Sequence, residues 1–77
     1  MAQNKVLKNI PKMEDICIRL RNEAEELTHI ITEKKMSFPK EFILYEVTKE
    51  NTYVLIGKGN NPNKLEDKYV YKRKEKE

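Results

Sequence analysis

His29 is the only histidine and Cys17 the only cysteine in the 77 residues, so acid–base chemistry and nucleophilic chemistry have one candidate side chain each. General acid–base work needs a partnered group in a cleft, and a chain this short offers little cleft. His29 therefore reads as a solvated surface residue. Cys17 stands between Ile16 and Ile18, where a thiol behaves as a small hydrophobe rather than a nucleophile. One cysteine excludes an internal disulfide and a cysteine-rich zinc site, and it suits a reducing compartment. No catalytic residue, metal ligand or cofactor site is expected, and the protein is expected not to be an enzyme.

Three patterns suit binding instead. Near the C-terminal end Lys68, Tyr69, Tyr71, Lys72 and Arg73 interleave cations with aromatics, a combination in which bases stack on rings while lysines meet phosphates. Lys58 lies in the run Gly57-Lys58-Gly59-Asn60, which lacks P-loop spacing and reads as a tight turn whose lysine adds to the same possible nucleic-acid contact. Glu23, Glu25 and Glu26, with Asp15 and Glu33 nearby, form an acidic cluster suited to a basic protein partner. The formal net charge is +3, from 16 basic and 13 acidic residues. That is too mild a balance to name nucleic acid as the partner on charge alone.

Positioning these groups requires secondary structure, and two regions differ in pattern. From Ile10 to Met36 the only proline is Pro11, at a position a helix start accepts, and there is no glycine. Glu14 and Asp15 near the start, with Lys34 and Lys35 near the end, complement a helix dipole. Val6, Ile10, Met13, Cys17, Leu20, Ala24, Leu27 and Ile31 follow at alternating steps of four and three, a repeat of about 3.5 residues. The spacing predicts an amphipathic helix over 10–36. Glu41 to Thr48 is rich in β-branched and aromatic residues; it reads as a strand with Phe42 and Leu44 on one face and Ile43, Tyr45 and Val47 on the other. Lys49 to Asn51 reads as a hairpin turn, Thr52 to Lys58 as a second strand, 57–63 as a loop, and Lys68 to Arg73 as a third strand.

The expected fold is α+β: one domain, with an N-terminal helix packed on a three-stranded antiparallel meander over 41–73, and flexible ends at 1–9 and 73–77. A domain this small buries only roughly 60% of its unfolded surface. Self-association through Met13, Cys17, Leu20, Ala24, Leu27 and Ile31 is therefore expected, giving a homodimer. No apolar run reaches the roughly 18 residues of a membrane span, and the N-terminus lacks a signal-peptide core, so a cytoplasmic location is expected.

In its size, its Lys/Asn/Ile/Glu-rich composition and the order of a Pro11–Lys35 helix before strands from Glu41, the chain resembles small early proteins of phages that infect low-GC Gram-positive bacteria. The type it resembles inhibits the replicative sliding clamp, as in staphylococcal Twort-like phages. That resemblance implies a dimer entering the clamp's DNA channel, with Glu23, Glu25, Glu26 and Glu33 meeting basic channel walls. The expected function is thus non-catalytic inhibition of a larger host replication or transcription protein. The alternative is a small basic DNA- or RNA-binding protein using its C-terminal strand.

Overall fold

The structure, a computed structural model, describes residues 6–71. Five strands form one antiparallel sheet: β1 (Val6–Leu7), β2 (Glu14–Arg21), β3 (Leu27–Lys34), β4 (Phe42–Val47) and β5 (Tyr53–Gly59). The strand order is β1-β5-β4-β3-β2. A short helix, α1 (Pro62–Leu65), continues as a wider helical turn over Glu66–Val70.

The expected N-terminal helix is absent. Its residues form the β2–β3 hairpin, and the sheet has five strands instead of three. The reason lies in two local features. Glu14-Asp15-Ile16-Cys17-Ile18-Arg19-Leu20-Arg21 alternates half-buried and exposed side chains residue by residue, the period of a strand. Asn22 then nucleates the turn: its Oδ1 accepts from the Ala24 and Glu26 backbone N–H groups at 2.9 and 3.0 Å, as asparagine does in tight turns. The Asn22 N–H donates to Glu26 O, and Glu25 takes a left-handed φ of 66°. The apolar steps of three and four are real in the sequence, but they cross a turn and belong to two strands.

The β4–β5 hairpin coincides with the expected one, down to the split of Phe42 and Leu44 from Ile43, Tyr45 and Val47 between the two faces. Lys68 to Val70, expected in a third strand, belong to the helical segment. Val6 and Leu7, expected in a flexible end, pair with Val54 and Tyr53, and Lys8 and Asn9 follow as an exposed bend; residues 1–5 and 73–77 lie outside the described residues.

Each sheet face carries its own apolar cluster. On one face Ile30, Ile43 and Tyr45 are buried, with Leu7, Ile10, Ile16, Leu27, Val47, Tyr53 and Leu55 packed against them. Leu7 and Ile16 come from β1 and β2, the two edges of the sheet, and both pack against this cluster on the central strands β3 and β4. On the other face Ile31, Leu44 and Leu65 are buried, with Ile18, Phe42, Ile56, Tyr69 and Val70 around them, and the helical segment is the cover. Each fully buried Ile or Leu contributes roughly 1.5–3 kcal/mol.

Ile16 and Ile18 serve opposite faces because Cys17 is the extra residue of a β-bulge: Ile16 pairs with Thr32 and Ile18 with the next residue, Ile31. A bulge inserts one residue and shifts the side-chain alternation. Without it, β2 would send both isoleucines to one face.

Candidate functional site

Thr32 and Tyr45 are buried, at 0% and 1% exposure, and both hydroxyls donate to Oε1 of Glu14, at 2.8 and 2.7 Å. β2, β3 and β4 each supply one member. Burial first, and the Glu14 carboxylate second, push the Tyr45 phenol well above its ordinary value. It therefore stays protonated and acts as a donor. The two hydrogen bonds tie β2, β3 and β4 together through one carboxylate oxygen, a network that rigidifies the sheet.

The other candidate chemical groups are also spoken for. Cys17 is exposed at the bulge instead of buried in a seam, and its Sγ–H donates to Ile31 O at 3.3 Å. Partial burial, then the Glu33 charge, raise its thiol pKa, which suppresses the reactive thiolate. His29 is half-buried on β3 rather than solvated on a helix, with Nδ1 3.0 Å from Thr28 Oγ1. Burial holds its pKa below the ordinary imidazole value, against an upward pull from Glu46, its cross-strand neighbour. Among the described residues no three His, Cys, Asp or Glu side chains converge as a metal site.

The six residues expected to form a self-association stripe do not form one. Met13 and Cys17 are exposed, Ala24 sits in the exposed hairpin loop, Leu20 and Leu27 are half-buried on neighbouring strands, and Ile31 is inside the sheet's own core. The acidic set splits as well. Glu23, Glu25 and Glu26 stay together at the β2–β3 turn, whereas Asp15 and Glu33 face each other near the opposite end of the same strands. Asp15 lies 3.5 Å from Lys35, and Glu33 lies 3.4 Å from Lys40.

The basic set fares better. A concavity of about 200 Å³ is lined by Lys58, Gly59, Asn60, Asn61, Lys64, Leu65, Lys68 and Tyr69. Lys58, Lys68 and Tyr69 were expected contacts; Tyr71 lies just beyond, half exposed, and Lys72 and Arg73 fall outside the described residues. Lys58, Lys64 and Lys68 form no ion pair among the described residues, whereas Lys34, Lys35 and Lys40 each have a carboxylate partner. Lys68 Nζ sits 5.3 Å from the Tyr69 ring centre.

The fold builds this concavity from three parts. β5 ends at Gly59, and Asn61 caps α1 by accepting from the Asn63 N–H at 3.0 Å. Leu65 and Tyr69, four residues apart, face the sheet, which leaves Lys64 and Lys68 together on the adjoining flank of the helix. Tyr69 seats directly over Gly57: a Cβ there would lie 2.5 Å from Tyr69 Cε2. The glycine-rich run is therefore the end of a strand under an aromatic ring, and not a turn.

A second concavity shares Lys58, Gly59 and Asn60 with the first and is walled by Ser37, Phe38, Pro39, Lys40 and Glu41. Sequence reasoning missed Lys64, Asn61 and Phe38 as site residues. Lys64 and Asn61 carry no local signature. Phe38 had one, being a bulky aromatic in a short polar loop.

Fold and surface define a small antiparallel meander, helix-covered on one face, with unpaired lysines gathered at one rim. No family model matches the chain, and no curated protein or solved structure matches it. No helix among the described residues is long and apolar enough to cross a membrane.

Proposed function

We propose that this is a non-catalytic binding protein that grips the phosphate backbone of nucleic acid at the rim lined by Lys58, Lys64 and Lys68. The observation that carries this reading is the gathering of three lysines without carboxylate partners on one concavity, beside two asparagines and a tyrosine, while Lys34, Lys35 and Lys40 each lie within 4.0 Å of a carboxylate. Unpaired ammonium groups are the ones that can release counterions from a phosphate chain. The asparagine amides add donors and acceptors that a phosphate or base edge can use.

The test is fluorescence anisotropy of a labelled oligonucleotide across a salt series. With three phosphate contacts the slope of log K against log salt is expected near −2, from about −0.7 per contact on a single strand. Lys64→Glu with Lys68→Glu should abolish binding at low salt, while Lys49→Glu at the distant β4–β5 turn should leave it nearly unchanged. A flat salt series, or equal loss in the control, would overturn the proposal.

Inhibition of a larger host protein is the second reading, favoured by Met36 and Phe38, which stand 96% and 99% exposed on one loop. Exposed Met and Phe are enriched at protein interfaces. The sliding-clamp form of this reading has lost its acidic helix, because Pro11–Lys35 is a strand pair. Glu23, Glu25 and Glu26 remain its available carboxylates. Titration against a purified bacterial sliding clamp at 0.15 M salt tests it directly; no complex at tens of micromolar removes it.

A further inference from the structure

The β3–β4 connection is a tightly held loop carrying an uncovered aromatic ring. Lys34 N–H donates to Glu41 O at 2.9 Å across its base, Met36 turns the chain with a φ of 59°, and Ser37 Oγ donates to Pro39 O at 2.9 Å. Phe38 at its tip is 99% exposed. Met36, two residues before it, is 96% exposed, so this one loop holds two large apolar side chains in water that bury nothing for the fold; a lone exposed ring would need no explanation, but such a pair marks a contact surface.

Its neighbourhood is specific. Phe38 lines a concavity that shares Lys58, Gly59 and Asn60 with the neighbouring one lined by Lys64 and Lys68. The cations nearest to it in sequence are occupied: Lys34 by Glu41 at 4.0 Å, Lys35 by Asp15 and Lys40 by Glu33. An anionic membrane surface would want several free cations around the ring; the concavity that Phe38 lines holds one lysine without a carboxylate partner, Lys58, which it shares with the concavity of Lys64 and Lys68.

We infer that Phe38 is a base-stacking platform, and that the nucleic acid taken by this protein is single-stranded. This rests on the proposed phosphate contact at Lys58, Lys64 and Lys68. A single strand presents base faces to a ring while its phosphates follow the lysines, whereas a duplex keeps its base faces inside the stack. A ring beside a basic track therefore adds affinity for one form and nothing for the other. Tyr69 does not substitute for it, because its ring is seated on Gly57.

The experiment compares the full chain, Phe38→Ala and Phe38→Trp on a mixed-sequence single-stranded DNA oligonucleotide and its duplex, with phosphatidylglycerol vesicles as a third ligand. Phe38→Ala should weaken single-strand binding by roughly fivefold to a hundredfold, the usual value of one stacked base, and should leave duplex binding unchanged. The sequence contains no tryptophan, so Phe38→Trp introduces a sole tryptophan, excitable apart from the tyrosines, whose emission should be quenched by the single strand and not by the duplex. Phe38 makes no core contact, so both variants should keep the parent's far-UV spectrum. Equal affinity of Phe38→Ala and parent for the single strand overturns the stacking role while leaving phosphate binding standing. Absence of binding to any oligonucleotide at low salt overturns both. Vesicle binding lost in Phe38→Ala, without single-strand preference in the parent, assigns the ring to a membrane and overturns the inference.

Discussion

Two three-residue loops show how one side chain sets local stability. Loops 23–25 and 49–51 share a geometry, each closed by a backbone pair and each ending on a left-handed residue: Glu25 at 66° and Asn51 at 65°. Asparagine tolerates that conformation and glutamate resists it. Glu25→Asn should raise stability by roughly 0.5–1 kcal/mol, read as a higher urea midpoint; no shift would mean the loop does not hold that conformation in solution. In the buried trio, Glu14→Ala leaves two hydroxyls without an acceptor and should cost roughly 2–4 kcal/mol, while Glu14→Gln keeps an acceptor oxygen and should cost less. Tyr45 adds a pH dependence. Its folded pKa lies above its unfolded value of about 10, so the unfolded chain loses its proton first, and this stabilising contribution is full below pH 10 and fades as pH rises beyond it. Urea midpoints at pH 8 and pH 11 should fall apart in the parent and converge in Tyr45→Phe.

At the level of elements, the helical segment and β5 are joined by the contact of Tyr69 with Gly57. Adding a methyl at Gly57 places it 2.5 Å from Cε2 and 2.9 Å from Cζ of that ring, so Gly57→Ala must lift the helix at a cost of roughly 1–3 kcal/mol. Because Lys64 and Lys68 ride on that helix, oligonucleotide binding should fall with it. Combining Gly57→Ala with Tyr69→Ala should cost less than the sum of the two single changes, since the first change has no ring left to strike. The outer edge of β2 needs a different device. The bulge at Cys17 and the exposed Asp15, Arg19 and Arg21 interrupt an eight-residue edge strand, which discourages pairing with another chain.

At the scale of the whole molecule, the meander leaves the carboxylates of its two turns at one end and the lysine rim at the other, where Asp15, Glu33 and Glu41 are held in ion pairs with Lys35, Lys40 and Lys34. Both turns, with Glu23, Glu25, Glu26 and Glu50, lie at one end of the sheet, and the end of β5 places Lys58 and the helix at the other. Such a dipolar surface should orient a polyanion toward the lysine rim, so association should slow with added salt more than dissociation speeds up. Stopped-flow mixing with an oligonucleotide at two ionic strengths measures both rates. The half-buried His29 gives the fold a second pH response. Burial depresses its pKa, so its contribution holds above its unfolded value and is lost as pH falls through the folded one. His29→Gln should flatten the stability profile on the acid side of about pH 6.5.

The β4–β5 hairpin was legible in the sequence because alternation, β-branched residues and an asparagine-bearing turn all agree between Glu41 and Lys58. The β2–β3 hairpin was not: its turn uses Glu25 where glycine or asparagine would announce a left-handed residue, and apolar steps of three and four that run on across the turn mimic a helix over the alternation of Glu14–Arg21. Lysines 58 and 68 with Tyr69 could be singled out by type alone. Their union with Lys64 depends on the chain turning at Asn61 so that the helix folds back over β5, and the approach of Phe38 depends on the loop between β3 and β4, some twenty residues earlier in the sequence. Residue chemistry is carried by each side chain and can be read one position at a time, but which of them share a surface is decided by register and chain reversal, and those are set by packing.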